Sequence, residues 1–154
     1  MRARLDALPP APARPLRSPT SADVEALGAL LYHAYLGTVD YAGESEADAV
    51  REVERTFAGG YGEFLPVFSR LAEHEGGPVS AALITRLEGA PFLAFSVTHS
   101  RHQRTGLARA CIISAMQALA AAGERELRLV VTVANAPAVS LYQGLGFRLE
   151  AAGR

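Results

Sequence analysis

The chain contains no lysine; all fifteen of its basic residues are arginine. That excludes Schiff-base chemistry on a lysine amine and any phosphate-binding lysine of the G-x-x-x-x-G-K-[ST] type. A single cysteine, Cys111, lies in an apolar helical stretch. No disulfide framework can form within the chain, and the thiol reads as a small buried hydrophobe. No apolar run approaches the ~20 residues that a bilayer requires. The opening MRARLDALPPAPARP also lacks the continuous apolar segment of a secretory signal. A cytoplasmic location with no membrane partner is therefore expected. The net charge is −1, so no global field recruits nucleic acid. No G-x-G-x-x-G follows a strand, and no standard zinc spacing occurs; no metal is expected.

What is present is an ordinary globular composition, 49% hydrophobic and 20% charged over 154 residues, which favours a single domain with one sizeable core. Residues 1–15, rich in proline and alanine, read as a flexible arm. Residues 16–154 read as the domain. LRSPTSADVEALGALLYHAYLG begins with a short extended piece and continues as a first helix; Ser21 or Thr20 is a plausible cap, with Leu27, Leu30, Leu31, Ala34 and Tyr35 at helical spacing. SEADAVREVERTFAG reads as a second helix, with Val50, Val53 and Phe57 on one face. FLPVFSRLAEHEGG, PVSAALITRLEGA and FLAFSVTHS follow as three strands joined by tight turns, an antiparallel meander. A helix over 107–122 comes next, with Gly123 past its end. ELRLVVTVAN is β-branched enough to read as a strand buried on both faces. APAVSLYQGLG is a short helix with Pro137 in its first turn, and FRLEAAGR a final short strand. The order is β-α-α-β-β-β-α-β-α-β: an α/β (α+β) fold with a mixed, mostly antiparallel central sheet and helices on both faces.

The junction QRTGLA, residues 103–108, lies between the third meander strand and the helix over 107–122. A helix start presents unpaired N–H groups and a partial positive charge. Gly106 lets the backbone approach a ligand, Ala108 is nearly as small, and Gln103, Arg104, Thr105 and Arg109 add donors. The arrangement suits a diphosphate.

These residues resemble the GCN5-related N-acetyltransferase (GNAT) family. Gln103-Arg104-Thr105-Gly106-Leu107-Ala108 matches that family's [QR]-x-x-G-x-[GA] coenzyme A loop. Some thirty residues on, VVTVANAPAVSLYQGLGF supplies Asn135, Leu141-Tyr142 and Gly146-Phe147 in the family's order. The resemblance is strongest over 93–148, and the element order extends it to about 16–154. It implies direct transfer of an acetyl group from acetyl-CoA, or another acyl-CoA, to a primary amine of a small molecule or of a peptide or protein. It also implies a gap between the third meander strand and LRLVVTVAN. Pantetheine would enter that gap and pair with backbone near Val97, Thr98 and His99, where an N–H would polarise the thioester carbonyl. Backbone at about 104–109, including Leu107, would hold the pyrophosphate. Tyr142 would be the general acid, and Asn135 would touch the pantetheine or acceptor while capping a helix.

The family's strand glutamate has no counterpart in FLAFSVTHS. The base is left open between His99, His102, Glu63, Glu73, Glu75 and a water chain. The acceptor pocket is expected along YLGTVDYAGESE and FAGGYGEF, with Tyr35, Tyr41 and Glu63 as acceptor contacts beside Asp40, Glu44 and Tyr61. Many relatives continue past the equivalent of Phe147 with another strand, so a homodimer that completes the acceptor side is compatible with the sequence. The alternative reading is an acyl-CoA-binding regulatory domain with little or no turnover. A nucleic-acid module built on Arg101, Arg104 and Arg109 is disfavoured by the net charge and the absence of a recognition motif.

Overall fold

The computed structural model describes residues 1–10 and 14–150. Its elements are β1 (Arg2–Arg4), α1 (Val24–Tyr35), α2 (Glu46–Phe57), β2 (Glu63–Phe64), β3 (Arg70–His74), β4 (Gly77–Leu87), β5 (Ala90–Thr98), α3 (Leu107–Ala121), β6 (Glu126–Arg128) and α4 (Ala136–Gly144). They form one six-stranded sheet in the order β1-β6-β5-β4-β2, with β3 also paired to β4. Every pairing is antiparallel except β5 with β6.

The helices start where side chains satisfy otherwise orphaned N–H groups. Thr20 caps a 3₁₀ turn over Ser21–Asp23 that leads into α1, and Ser45 caps α2; both use a capping box closed by an aspartate three residues on. The first turn of the first helix is thus 3₁₀ rather than α. Gly28 brings α1 close to α2, since a Cβ there would stand 2.4 Å from a Val50 methyl. β4 feeds both faces of the sheet by strand alternation. Ala81 and Leu83 join Leu27, Leu31, Val53 and Val97 beneath α1 and α2. Ala82 and Ile84 join Ile112, Met116, Leu119, Leu127 and Phe147 on the α3 face. Each such leucine or isoleucine, fully withdrawn from water, contributes about 1.5–3 kcal/mol. Cys111 is among them, and burial pushes its thiol up to about 11.

Four expectations change. FLPVFSRLAEHEGG is not one strand: Pro66 opens a 3₁₀ turn over Pro66–Phe68 that separates β2 from β3. Pro66 has no N–H for a ladder, and the Ser69 hydroxyl replaces the missing pairing by donating to Leu65 O and accepting from Ile84 N–H. ELRLVVTVAN is a strand only over Glu126–Arg128, and Val130 and Val133 are 84% and 73% exposed. Its β-branched residues have no partner strand beyond Arg128, because β5 pairs with β6 only at Phe92↔Arg128. FRLEAAGR makes a single antiparallel bridge, Arg148 to Arg2; residues 151–154 lie outside the described ones.

The fourth change concerns the arm. Residues 2–4 are β1, lying between β6 and Arg148. Ala3 and Leu5 are buried in the α3-side core. Further along, Pro9 O accepts from Gln117 Nε2, and Arg17 bridges to Leu71 through two backbone hydrogen bonds. The composition of this segment reads as flexible; residues 2–5 are instead held by sheet pairing and by the burial of Ala3 and Leu5. Residues 11–13 lie outside the described ones.

Candidate active site

Beyond Phe92, β5 leaves β6 and the sheet opens. The β4–β5 register shifts between Leu83 and Ile84, leaving Ala94 as an extra residue on β5, a bulge that re-aims the strand end. His99 N–H donates to Val79 O, and Val97 faces Ala81 two residues earlier. Hydrogen-bonded pairs alternate along an antiparallel ladder. The backbone groups of Val97 and His99 therefore face β4, while those of Ser96 and Thr98 face the opening. Of the expected backbone contacts Val97, Thr98 and His99, this orientation leaves Thr98 for a ligand in the gap and adds Ser96.

A cavity of about 540 Å³ occupies the opening. Ser96, Val97 and Thr98 form one wall, and Asn135, Leu141 and Tyr142 form another. Gln103, Arg104, Gly106, Leu107, Ala108 and Arg109 close its end. Thr105 does not line it. The loop has an unusual backbone: Arg104 has φ 63° and Gly106 φ 82°. A positive φ on a non-glycine residue costs roughly 1 kcal/mol or more and is kept only when its surroundings impose it. The Thr105 hydroxyl fastens the turn by donating to His102 O (2.6 Å). The first hydrogen bond of α3 is Ala110 N–H to Gly106 O, which leaves the N–H groups of Leu107, Ala108 and Arg109 without helical acceptors. An open cavity end with three donors, left-handed backbone at a glycine and two flanking arginines fits a diphosphate.

Asn135 works from the other side. Its Oδ1 accepts from Ala138 N–H (3.3 Å) and so caps α4, while its Nδ2 donates to Asp40 Oδ2 (2.9 Å). That bond joins the start of α4 to the α1–α2 link. Tyr142 is buried edge-on to Phe147. Burial raises its phenol above the ordinary value, partly offset by a hydrogen bond with Ser96 and reinforced by Asp40. Tyr35 is pushed up to about 12, by burial first and then by Tyr142, Asp40 and Tyr61.

Tyr35 also lines a second cavity, of about 420 Å³. Its walls are Tyr32, Tyr41 and Phe95 with Asp40, Glu44, Asp48 and Glu52, and Arg51 is its one basic residue. Tyr41 OH donates to Glu44 O (3.0 Å). Of the expected acceptor contacts, Tyr35 and Tyr41 are here; Glu63 is not. It sits on the short strand β2, opposite Arg86. Asp48 and Glu52 were not anticipated. Their signal was available: they stand four apart on α2, each directly before a buried residue, Ala49 and Val53.

His99 lines neither cavity. Its ring lies 5.5 Å from that of His33 and 6.1 Å from that of His102, which lies 5.1 Å from His74. All four histidines of the chain thus form a string along one edge, and only His102 reaches the larger cavity. Burial, then His33, Arg101 and His102, lower the pKa of His99. Thr98 lines the larger cavity, with its hydroxyl 2.8 Å from that of Ser80. Glu73 is occupied by Arg17, and Glu75 by the β3–β4 turn, where its nearest partner is His74. Among the described residues, no group of three or more His, Cys, Asp or Glu is arranged to hold a metal ion, and no helix is long and apolar enough to cross a membrane.

The model of the acetyltransferase (GNAT) family matches residues 31–147. The chain belongs to this family. GNAT proteins are acyltransferases, and the opened sheet, the loop at 103–109 and the tyrosine on α4 all fall inside the matched span. Solved structures agree on the fold. The protein PH1933 from Pyrococcus horikoshii OT3 superposes with a TM-score of 0.74 at 17% identity, covering 90% of this chain and 92% of that one. The ribosomal-protein-S18-alanine N-acetyltransferase from Escherichia coli gives 0.68 at 25% identity, covering 89% and 79%. The PaiA N-acetyltransferase from Thermoplasma acidophilum, solved in complex with coenzyme A, gives 0.69 at 17%, covering 90% and 92%. No curated protein sequence matches the chain.

Proposed function

We propose that this GNAT acyltransferase moves an acetyl group from acetyl-CoA directly to a primary amine of a cationic acceptor, either a small molecule or the end or side chain of a peptide. The observation that carries the reading is the meeting of two cavities at Tyr35, one ending in phosphate-ready N–H groups and the other walled by carboxylates. The acceptor class is supported by the S18-alanine acetyltransferase, whose name specifies a protein amine, and by the acidic walls, which favour a cation.

Acetyl-CoA supplies an acetyl thioester. The N–H groups after Gly106, with Arg104 and Arg109, hold its diphosphate. Ser96 and Thr98 offer backbone groups to its pantetheine arm. Asp40, kept in place by Asn135, holds the acceptor ammonium at the junction of the cavities and takes its proton as the amine turns nucleophilic. A C–N bond forms and the C–S bond breaks, and the sulfur leaves carrying the electron pair. Tyr142 gives a proton to that sulfur, and the second proton that the nitrogen sheds as the amide forms restores the phenol. Its raised pKa keeps the phenol protonated at neutral pH, as an acid requires. Tyr35, raised for the same reason, stays a neutral wall between the two sites.

The test is calorimetric titration with acetyl-CoA and CoA, with ATP and NAD as controls, followed by a screen of amines with thiol detection. Selective binding of CoA and thiol release with cationic amines support the proposal. A folded protein that binds no CoA removes it. Binding without thiol release across the amine panel favours the regulatory-domain alternative.

A further inference from the structure

The N-terminal segment does more than complete the sheet edge. Arg14 Nη2 donates to Thr105 O (2.7 Å). The same nitrogen stands 3.9 Å from where a Cβ on Gly106 would be. Arg14 forms no ion pair with any carboxylate among the described residues. Its neighbour Arg17, by contrast, is fully committed: it holds Asp23 at 2.7 Å and Glu73 at 3.0 Å, which pins the chain just after Arg14.

The peptide geometry gives this contact a direction. In a trans peptide the C=O and the following N–H point opposite ways. A guanidinium on Thr105 O therefore aims Gly106 N–H away from Arg14. Gly106 lines the larger cavity, whereas Thr105 and Arg14 do not, so that direction is into the cavity. A charged donor on the carbonyl also polarises the peptide and strengthens its N–H as a donor. The left-handed conformations of Arg104 and Gly106 on either side of this peptide need such an external hold.

We infer that Arg14 is a phosphate-positioning residue: from behind the loop it fixes the Thr105–Gly106 peptide with its N–H toward the cavity and places a unit charge behind the cosubstrate's diphosphate. This rests on the acetyl-CoA reading of the cavity. It gives the N-terminal segment a role in ligand binding that its proline- and alanine-rich composition does not suggest.

The experiment titrates the full chain and three variants, Arg14→Ala, Arg14→Gln and Arg14→Lys, with CoA and with dephospho-CoA, at low and high salt. Melting temperatures serve as the control for folding. Arg14→Ala is expected to weaken both ligands about fivefold at low salt, the worth of one partly screened charge. Arg14→Lys keeps the charge and is expected to stay within about twofold of the unaltered chain. Arg14→Gln keeps a donor for Thr105 O but loses the charge, and should show a weaker dependence of affinity on salt. Unchanged CoA affinity in Arg14→Ala overturns the inference. So does Arg14→Gln binding like the unaltered chain, because a neutral brace would then suffice. A loss seen with CoA but not with dephospho-CoA moves the charge to the 3′-phosphate and overturns the diphosphate assignment. An unaltered chain that binds neither ligand defeats the acetyl-CoA reading first, and is told apart from all of these by that fact.

Discussion

The two cavities share Tyr35 and otherwise differ in almost every property. The smaller is walled by Asp40, Glu44, Asp48 and Glu52 against Arg51. The larger has Arg104, Arg109 and His102, and none of its lining residues is a carboxylate. A net charge of −1 conceals this sorting. The acids come from the α1–α2 link and the first two turns of α2, where Glu46 and Asp48 also favour the helix dipole. The bases come from the loop before α3, where the exposed N–H groups share their sign. Each cavity thus takes its charge from the helix start or loop that forms it. A cationic acceptor and an anionic cosubstrate can each find their own side and meet at Tyr35 and Tyr142.

The sharpest way to break this contrast is to reverse the sign of the basic side. Gly106→Glu puts a carboxylate where the proposed function places the diphosphate, and its backbone must adopt φ 82°, which a side chain resists. CoA affinity should fall by more than about a hundredfold, while the strain at φ 82° lowers the melting temperature by only a few degrees, because the added Cβ meets nothing but the tip of Arg14. Calorimetry with CoA checks this; retained affinity would show that the loop does not bind phosphate.

Between the cavities, Tyr142→Phe keeps the buried ring and its packing on Phe147 but removes the hydroxyl proposed as the proton donor. The expected result is a fall in kcat of about 10–100-fold with CoA affinity within about twofold. An equal loss in both would make Tyr142 a binding residue rather than an acid. On the acidic side, Asp40→Asn should raise the KM of a cationic amine about tenfold, lower kcat because the proton acceptor is gone, and leave the CoA titration alone. If KM for the amine does not move, the acceptor enters elsewhere.

The same contrast explains what could be read from the sequence. The basic side is local: six consecutive residues, Gln103 to Ala108, carry the loop, and a helix start follows directly. Asn135 and Tyr142 were legible for the same reason, since an X-Pro helix start and an apolar helix fix where they point. The acidic side is assembled across α1, its link and α2. Tyr35 and Tyr41 were found there, but Asp48 and Glu52 were not, because only the apolar face of α2 is marked by the sequence and carboxylates beside it read as solvated surface. Glu63 failed because a two-residue strand carried it to the sheet edge. His99 was a candidate by its place at a strand end, but ladder alternation turns its N–H to β4, and its ring lies tilted against that of His33. β1 could not be read from Arg-Ala-Arg alone, because a three-residue strand exists only through its partners at 126–128 and 148. LRLVVTVAN failed in the opposite sense: strand propensity is present, and the opened sheet denies it a partner.

The smallest expected effect concerns what holds the N-terminal segment behind the basic cavity and has no counterpart on the acidic side. Arg17 binds Asp23 through two hydrogen bonds, of 2.8 and 2.7 Å, and reaches Glu73 as well. The guanidinium hydrogen bond, aided by the Thr20 backbone N–H and opposed by burial, holds the Asp23 carboxyl down at about 2. A depressed carboxyl stabilises the fold fully above its unfolded pKa, near 3.8, and this contribution is lost as the pH falls through about 2. Its size is roughly 2 kcal/mol. Asp23→Asn should therefore lower stability by about that much at pH 7 and flatten the decline between about pH 4 and pH 2, read from urea unfolding across that range. CoA affinity in this variant should fall less than in Arg14→Ala, because the Arg17–Leu71 backbone bridge remains to hold the segment. A loss of affinity as large as that of Arg14→Ala would mean that the ion pair, and not the bridge, sets where Arg14 stands.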